Sequence, residues 1–127
     1  MKIVLDAHGG DFGLKPNIEA TIKAVKDFDV EIILVGRRKE ILQELRSYGY
    51  TESSSIHIVN CKDIIEMAKE AVEECRSKPD SSIMVGTRLV AEKKADAFIS
   101  AGNSGAVMVA SLLNIGRIKG VLRPAIA

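Results

Sequence analysis

Short apolar, β-branched runs alternate along this chain with stretches whose apolar residues recur at helical spacing, and that alternation restricts the fold more than any other feature. Lys2-Ile3-Val4-Leu5-Asp6 ends in a carboxylate and breaks at Gly9-Gly10, as a buried strand entering a loop would. Pro16 suits a first helical turn, where its missing N–H has no partner to lose, and Ile18, Ile22, Val25 and Phe28 then share one face. Val30 to Val35, stopped by Gly36, predicts a second strand. Ile41, Leu42 and Leu45 predict a second helix before the turn residues Gly49 to Ser55, and Ile56 to Val59 a third strand. Asp63 to Lys78 has a helical composition, with Met67, Ala71 and Val72 on one side and Glu66, Lys69, Glu70, Glu73 and Glu74 forming a solvated face. Pro79-Asp80-Ser81-Ser82 closes that helix and caps the next, whose apolar set Ile83, Val85, Leu89 and Val90 runs to Lys94. Ala95 to Ser100 predicts a fourth strand, and Ala106 to about Ile115 a helix behind a glycine-rich turn. Strands separated by helices in this way pair in parallel and are covered on both faces, so the expected fold is a doubly wound α/β layer with a mostly parallel sheet.

A chain of 127 residues and 13.7 kDa holds one core, with no repeat or linker to mark an internal boundary. The residues Pro124-Ala125-Ile126-Ala127 read as the start of a further buried strand, so residues 1–127 are expected to be the N-terminal portion of a longer protein. Lys and Arg number 18 against 17 Asp and Glu, which leaves no overall field to attract nucleic acid. Aromatic residues at 4% and the lack of Trp also remove the stacking surfaces that single-strand binders use. No apolar run serves as a signal peptide or reaches the roughly 18 residues of a membrane span. Cys61 and Cys75 form no CxxC pair and no His/Cys cluster accompanies them, as expected for reduced cytosolic thiols and no metal.

In open parallel sheets ligands gather at the carboxyl ends of the strands, which points to the loops after Asp6 and Ser100. The second loop, Ser100-Ala101-Gly102-Asn103-Ser104-Gly105, follows a strand and opens a helix, where backbone N–H groups and the helix dipole favour an anion. It matches neither a P-loop nor GxGxxG. Two readings stay open: an anion site using Ser100, Asn103 and Ser104, or a tight turn with a capping Asn or Ser. The first loop gathers Asp6, His8, Gly9, Gly10 and Asp11. Asp6 accepts loop N–H groups or supports a ligand, Asp11 caps the following helix or faces the site, and His8 is the group able to move protons near neutral pH. His57 reads as a strand histidine and Arg37-Arg38-Lys39 as a solvated helix start. Arg117, Lys119 and Arg123 either neutralise phosphate or complement the end of the preceding helix.

Three stretches, in this order, resemble the bacterial phosphate acyltransferase family, PlsX: Lys2 to Gly13, Ala95 to Ala106, and Gly116 to Ala125. The likeness covers the whole chain but less than half of a typical member. It implies a fold similar to phosphotransacetylases and isocitrate dehydrogenase-like enzymes, and a cytoplasmic enzyme of phospholipid synthesis. That enzyme moves a fatty acyl group from acyl carrier protein to inorganic phosphate without metal or cofactor, giving acyl phosphate. It further implies a homodimer, with peripheral membrane contact through the part outside this chain. On this likeness Gly102 to Gly105 with Ser100 and Asn103 hold phosphate, and Asn103 with Lys119 or Arg123 serves catalysis. Asp6, His8, Gly9, Gly10 and Asp11 then form the supporting loop. The family normally carries methionine where His8 stands and more often threonine where Ser104 stands; Ser104 keeps the hydroxyl, whereas His8 is a larger change.

Overall fold

The computed structural model describes residues 1–124. Four strands, β1 (Lys2–Asp6), β2 (Glu31–Gly36), β3 (Ile56–Asn60) and β4 (Ala97–Ile99), form one sheet. Its order is β3-β2-β1-β4, and every pair is parallel. The helices are α1 (Leu14–Asp27), α2 (Arg38–Ser47), α3 (Ala71–Ser77), α4 (Ser82–Ala91) and α5 (Ser104–Asn114). The sheet is doubly wound. Side chains alternate across each strand, so Ile3 and Leu5 face the layer made by Ile18, Ile22, Ile41 and Leu45 of α1 and α2. Val4, Ile33 and Val35 point the other way, onto Val85 and Leu89 of α4. A third cluster joins α3, α4 and α5 through Cys75, Ile83, Met84, Ala106 and Ala110.

The apolar runs therefore pair as their alternation with helices requires, and Ser81 caps α4 by accepting the Met84 N–H. Residues 63–70 depart from the expected helix. Asp63 pairs with Ser81 in a parallel bridge, and the carbonyls of Glu66, Met67 and Lys69 accept bonds from the Asn103 amide, so a distant partner replaces the helical one. The helix starts only at Ala71, where the Glu70 carboxylate accepts the N–H groups of Val72 and Glu73. Met67 and Val72 are exposed rather than packed, and Phe28, expected on the core face of α1, is 67% exposed because the helix ends at Asp27 and Phe28 is already extended. β4 is shorter than its sequence run: Ala95 and Asp96 still lead into it and Ser100 already belongs to the loop that follows. The strand expected from Pro124 onward falls mostly on residues 125–127, outside the described residues.

Gly86, inside α4, faces the Phe98 ring so closely that a Cβ has no room there. Gly86→Ala exchanges a poor helix former for the best one, worth about 1 kcal/mol in an open helix. Overpacking against the half-buried Phe98 ring, held between α4 and the sheet, costs typically about 1–3 kcal/mol, so the net effect expected is destabilisation, read as a lower midpoint in chemical unfolding.

Candidate functional site

β1 is the point at which the strand order reverses: the chain moves from it to β2 and β3 on one side and returns to β4 on the other. At such a switch point the loops leaving neighbouring strands diverge above their carboxyl ends and leave a crevice. Here those loops are residues 7–13 and 100–103, the two glycine-rich segments.

They are in direct contact. The Ser100 hydroxyl donates to Asp6 Oδ2 at 2.8 Å and accepts the Gly102 N–H at 2.9 Å, while the His8 N–H donates to Asp6 Oδ1 at 3.3 Å. A Cβ on Gly9 would stand 2.6 Å from Asp6 Oδ2 and 2.9 Å from the Gly102 nitrogen, which explains the glycine there. Gly10, at φ +97°, packs against Ala101. Asn17, in the first turn of α1, closes the loop from behind: its amide donates to the carbonyls of Ala7, Gly9 and Gly13 at 3.1, 2.9 and 3.2 Å. Sequence reasoning passed over Asn17; an Asn just inside a helix, where it competes with backbone bonding, was the available signal.

Asn103 combines the cap and the tether. Its Oδ1 accepts the Ala106 N–H at 3.0 Å, and its Nδ2 holds the carbonyls of residues 66, 67 and 69. Among the described residues, the N–H groups of Ser104 and Gly105 have no acceptor, so the first turn of α5 presents them together with the exposed Ser104 hydroxyl. Gly105 lies close to Ala71, its Cβ position 3.2 Å from the Ala71 methyl.

From this end a groove of about 520 Å³ runs along α5. Ser100, Gly102 and Ser104 line its polar end, and Val107, Met108 and Leu112 its apolar flank. The segment after α5 forms the far wall and brings Arg117 to the groove, where its guanidinium also donates to the Leu122 carbonyl at 2.8 Å. Lys119 and Arg123 sit on the same exposed segment outside this lining. Asp11 is exposed and does not cap α1, whose N-cap is Gly13 with no side-chain bond, because the Asn17 amide ties the loop instead.

His8 turns away from the groove. Its Nε2 accepts the Arg37 N–H at 3.0 Å, which leaves the proton of the neutral ring on Nδ1, 3.8 Å from Glu40. Burial lowers its pKa below 6.5, outweighing the upward pull of the Glu40 and Asp6 carboxylates. Between that lowered value and 6.5 the unfolded chain binds more protons than the folded one, so stability rises with pH across the window. The contribution is complete above 6.5 and lost as pH falls through the folded value. Thermal unfolding between pH 5 and 8 is expected to show this slope, and His8→Met to flatten it. His57 sits in β3 as expected, half exposed near Glu31. Burial raises the Cys61 thiol to about 11, with Asp6 adding to the effect, and burial likewise raises Cys75; neither is an activated sulfur nucleophile. Among the described residues no group of three His, Cys, Asp or Glu is placed to hold a metal, and no helix is long and apolar enough to cross a membrane.

The family described as Fatty acid synthesis protein matches residues 1–127, the whole chain. This chain belongs to that family. A phosphate acyltransferase of Elusimicrobium minutum is 48% identical over 126 residues, covering 99% of this chain and 37% of the relative. That of Alkaliphilus oremlandii is 48% identical over 127 residues, covering 100% and 38%, and that of Clostridioides difficile 43% identical over 124 residues, covering 98% and 36%. The chain thus spans little more than a third of the length of these relatives.

Proposed function

We propose that this family member carries the phosphate-holding part of an enzyme that transfers a fatty acyl group from the thioester of acyl carrier protein to inorganic phosphate. The observation that supports this best is the pair of outward N–H groups at Ser104 and Gly105, at the head of a helix without charged side chains and at the mouth of an apolar groove. The N-terminal end of α5 favours an anion, and the flank of Val107, Met108 and Leu112 suits an aliphatic chain beside it.

In this reading a phosphate oxygen attacks the thioester carbonyl carbon, the carbonyl oxygen takes up negative charge, and collapse expels the pantetheine thiolate. The products are acyl phosphate and free carrier. No covalent enzyme intermediate is needed, so positioning carries the catalysis; holding both reactants at attack distance is worth roughly 7–11 kcal/mol. Asn103 keeps the loop in shape by its cap and its three carbonyl bonds. Arg117 at the groove, with Lys119 or Arg123 on the same segment, offsets charge on phosphate or on the tetrahedral oxyanion. A homodimer and peripheral membrane contact belong to the same reading of the whole protein.

The test uses the full-length gene product: release of free carrier from acyl carrier protein thioester is expected to require phosphate. Equal release without phosphate overturns the proposal. Comparing carrier and coenzyme A thioesters under the same conditions identifies the donor, since both present a pantetheine thioester. A second reading, that this portion only binds phosphate or carrier, draws on its 37% to 38% share of the first relatives. Turnover by the isolated 127-residue chain would exclude it.

A further inference from the structure

Asp6 ends β1 at 2% exposure, so its carboxylate has lost nearly all contact with water. Among the described residues no cation lies at ion-pair distance from it. A carboxylate in that position is costly unless neutral donors hold it. Its partners are the Ser100 hydroxyl on Oδ2 and the His8 N–H on Oδ1. The transfer step described above uses none of these groups.

The direction of the bonds matters. A hydroxyl has one proton; because Ser100 gives it to Asp6, its oxygen is left to accept the Gly102 N–H. The carboxylate thus sets the hydroxyl and the hydroxyl sets the Gly102 peptide, a chain in which each bond polarises the next. Gly102 directly precedes the Asn103 cap, so the orientation of its peptide fixes the entry into α5 and the direction of the free Ser104 and Gly105 N–H groups. Residues 94 apart in sequence are coupled in this way across β1 and β4.

We propose that Asp6 is a positioning residue for the anion loop, acting through Ser100 on Gly102 and not by touching substrate. The proposal rests on the acyl-transfer reading for its kinetic readout. An asparagine at position 6 has one acceptor oxygen where two donors converge, so Asp6→Asn breaks the chain at nearly constant volume. Ser100→Ala breaks it at the next link, and Ser100→Thr keeps a hydroxyl there.

In the full-length gene product, Asp6→Asn and Ser100→Ala are each expected to raise the KM for phosphate about tenfold, with a smaller change in kcat, while Ser100→Thr stays within about threefold of the wild type. The double variant Asp6→Asn/Ser100→Ala is expected to be no worse than the worse single, because both act through one chain. Hydrogen exchange at the Gly102 amide, followed by NMR, is expected to speed up in both single variants and to remain protected in Ser100→Thr. If Ser100→Ala raises KM while Asp6→Asn does not, Ser100 touches phosphate directly and the proposal fails; additive effects overturn it as well. A wild type with no phosphate-dependent transfer would sink the acyl-transfer reading, and Gly102 exchange would still decide the positioning role: unchanged exchange in Asp6→Asn overturns it.

Discussion

Gly9→Ala in the full-length gene product is expected to lower phosphate-dependent acyl transfer by at least about a hundredfold, equivalent to roughly 3 kcal/mol of transition-state stabilisation. The added methyl would meet Asp6 Oδ2 at 2.6 Å, the Gly102 nitrogen at 2.9 Å and Ser100 Oγ at 3.0 Å. None of these is the loose end of a flexible side chain: Asp6 is buried, Gly102 contributes backbone, and the Ser100 hydroxyl is bonded on both sides. The two glycine-rich loops therefore have to part, and the donors at the start of α5 move with them. Stability is expected to fall by about 1–3 kcal/mol, as for other overpacked sites. Gly13→Ala makes the control. Gly13, at φ +66° and ψ −143°, has nothing within 4 Å of the Cβ position, so alanine there meets backbone strain alone, of about 1–3 kcal/mol in a region essentially reserved for glycine. Thermal unfolding and phosphate-dependent carrier release separate the two. Similar activity in both variants would show that the close contact between the loops is not required.

Asn103→Ala is expected to cost about 1 kcal/mol of stability for the lost cap and to lower kcat/KM for phosphate by about a hundredfold. The activity loss exceeds the stability loss because the same side chain holds two structures together. Its oxygen satisfies the Ala106 N–H, and its nitrogen fastens residues 66–69. The carbonyls it releases are near the surface and regain water, so the fold survives while the loop loses its shape. Asn103→Asp divides the two roles, since a carboxylate still accepts the Ala106 N–H but has no proton for the three carbonyls. Limited trypsin digestion is expected to cut at Lys69 faster in both variants than in the wild type, whereas helix stability drops only in Asn103→Ala. Wild-type digestion rates in Asn103→Asp would show that the tether does not hold the segment.

The alternation of apolar runs with helical spacing was enough to determine a parallel, doubly wound sheet, because a strand flanked by crossover helices buries both faces and leaves no polar side. The glycines after Asp6 and Ser100 likewise marked the loops that meet, since their freedom to approach backbone closely is a property of the residue itself. The cap on α5 was legible for the same reason: Asn103 and Ala106 are three residues apart, within reach of local spacing. What tertiary structure decided were bonds between distant residues. The helical pattern of Asp63 to Lys78 lost its first part to Ser81 and Asn103, partners that periodicity does not report. His8 looked available for chemistry and is turned toward the end of β2, because the Arg37 N–H lies there and burial favours the neutral ring. Of the three cations after α5, the path of the chain brings Arg117 into the groove lining and leaves Lys119 and Arg123 outside it. The link from Asp6 to Gly102 through Ser100 has no sequence signature at all. Periodicity records which side of an element is buried, whereas the partner of a buried polar group depends on which strands become neighbours, and only the pairing of β1 with β4 brings these residues within bonding distance.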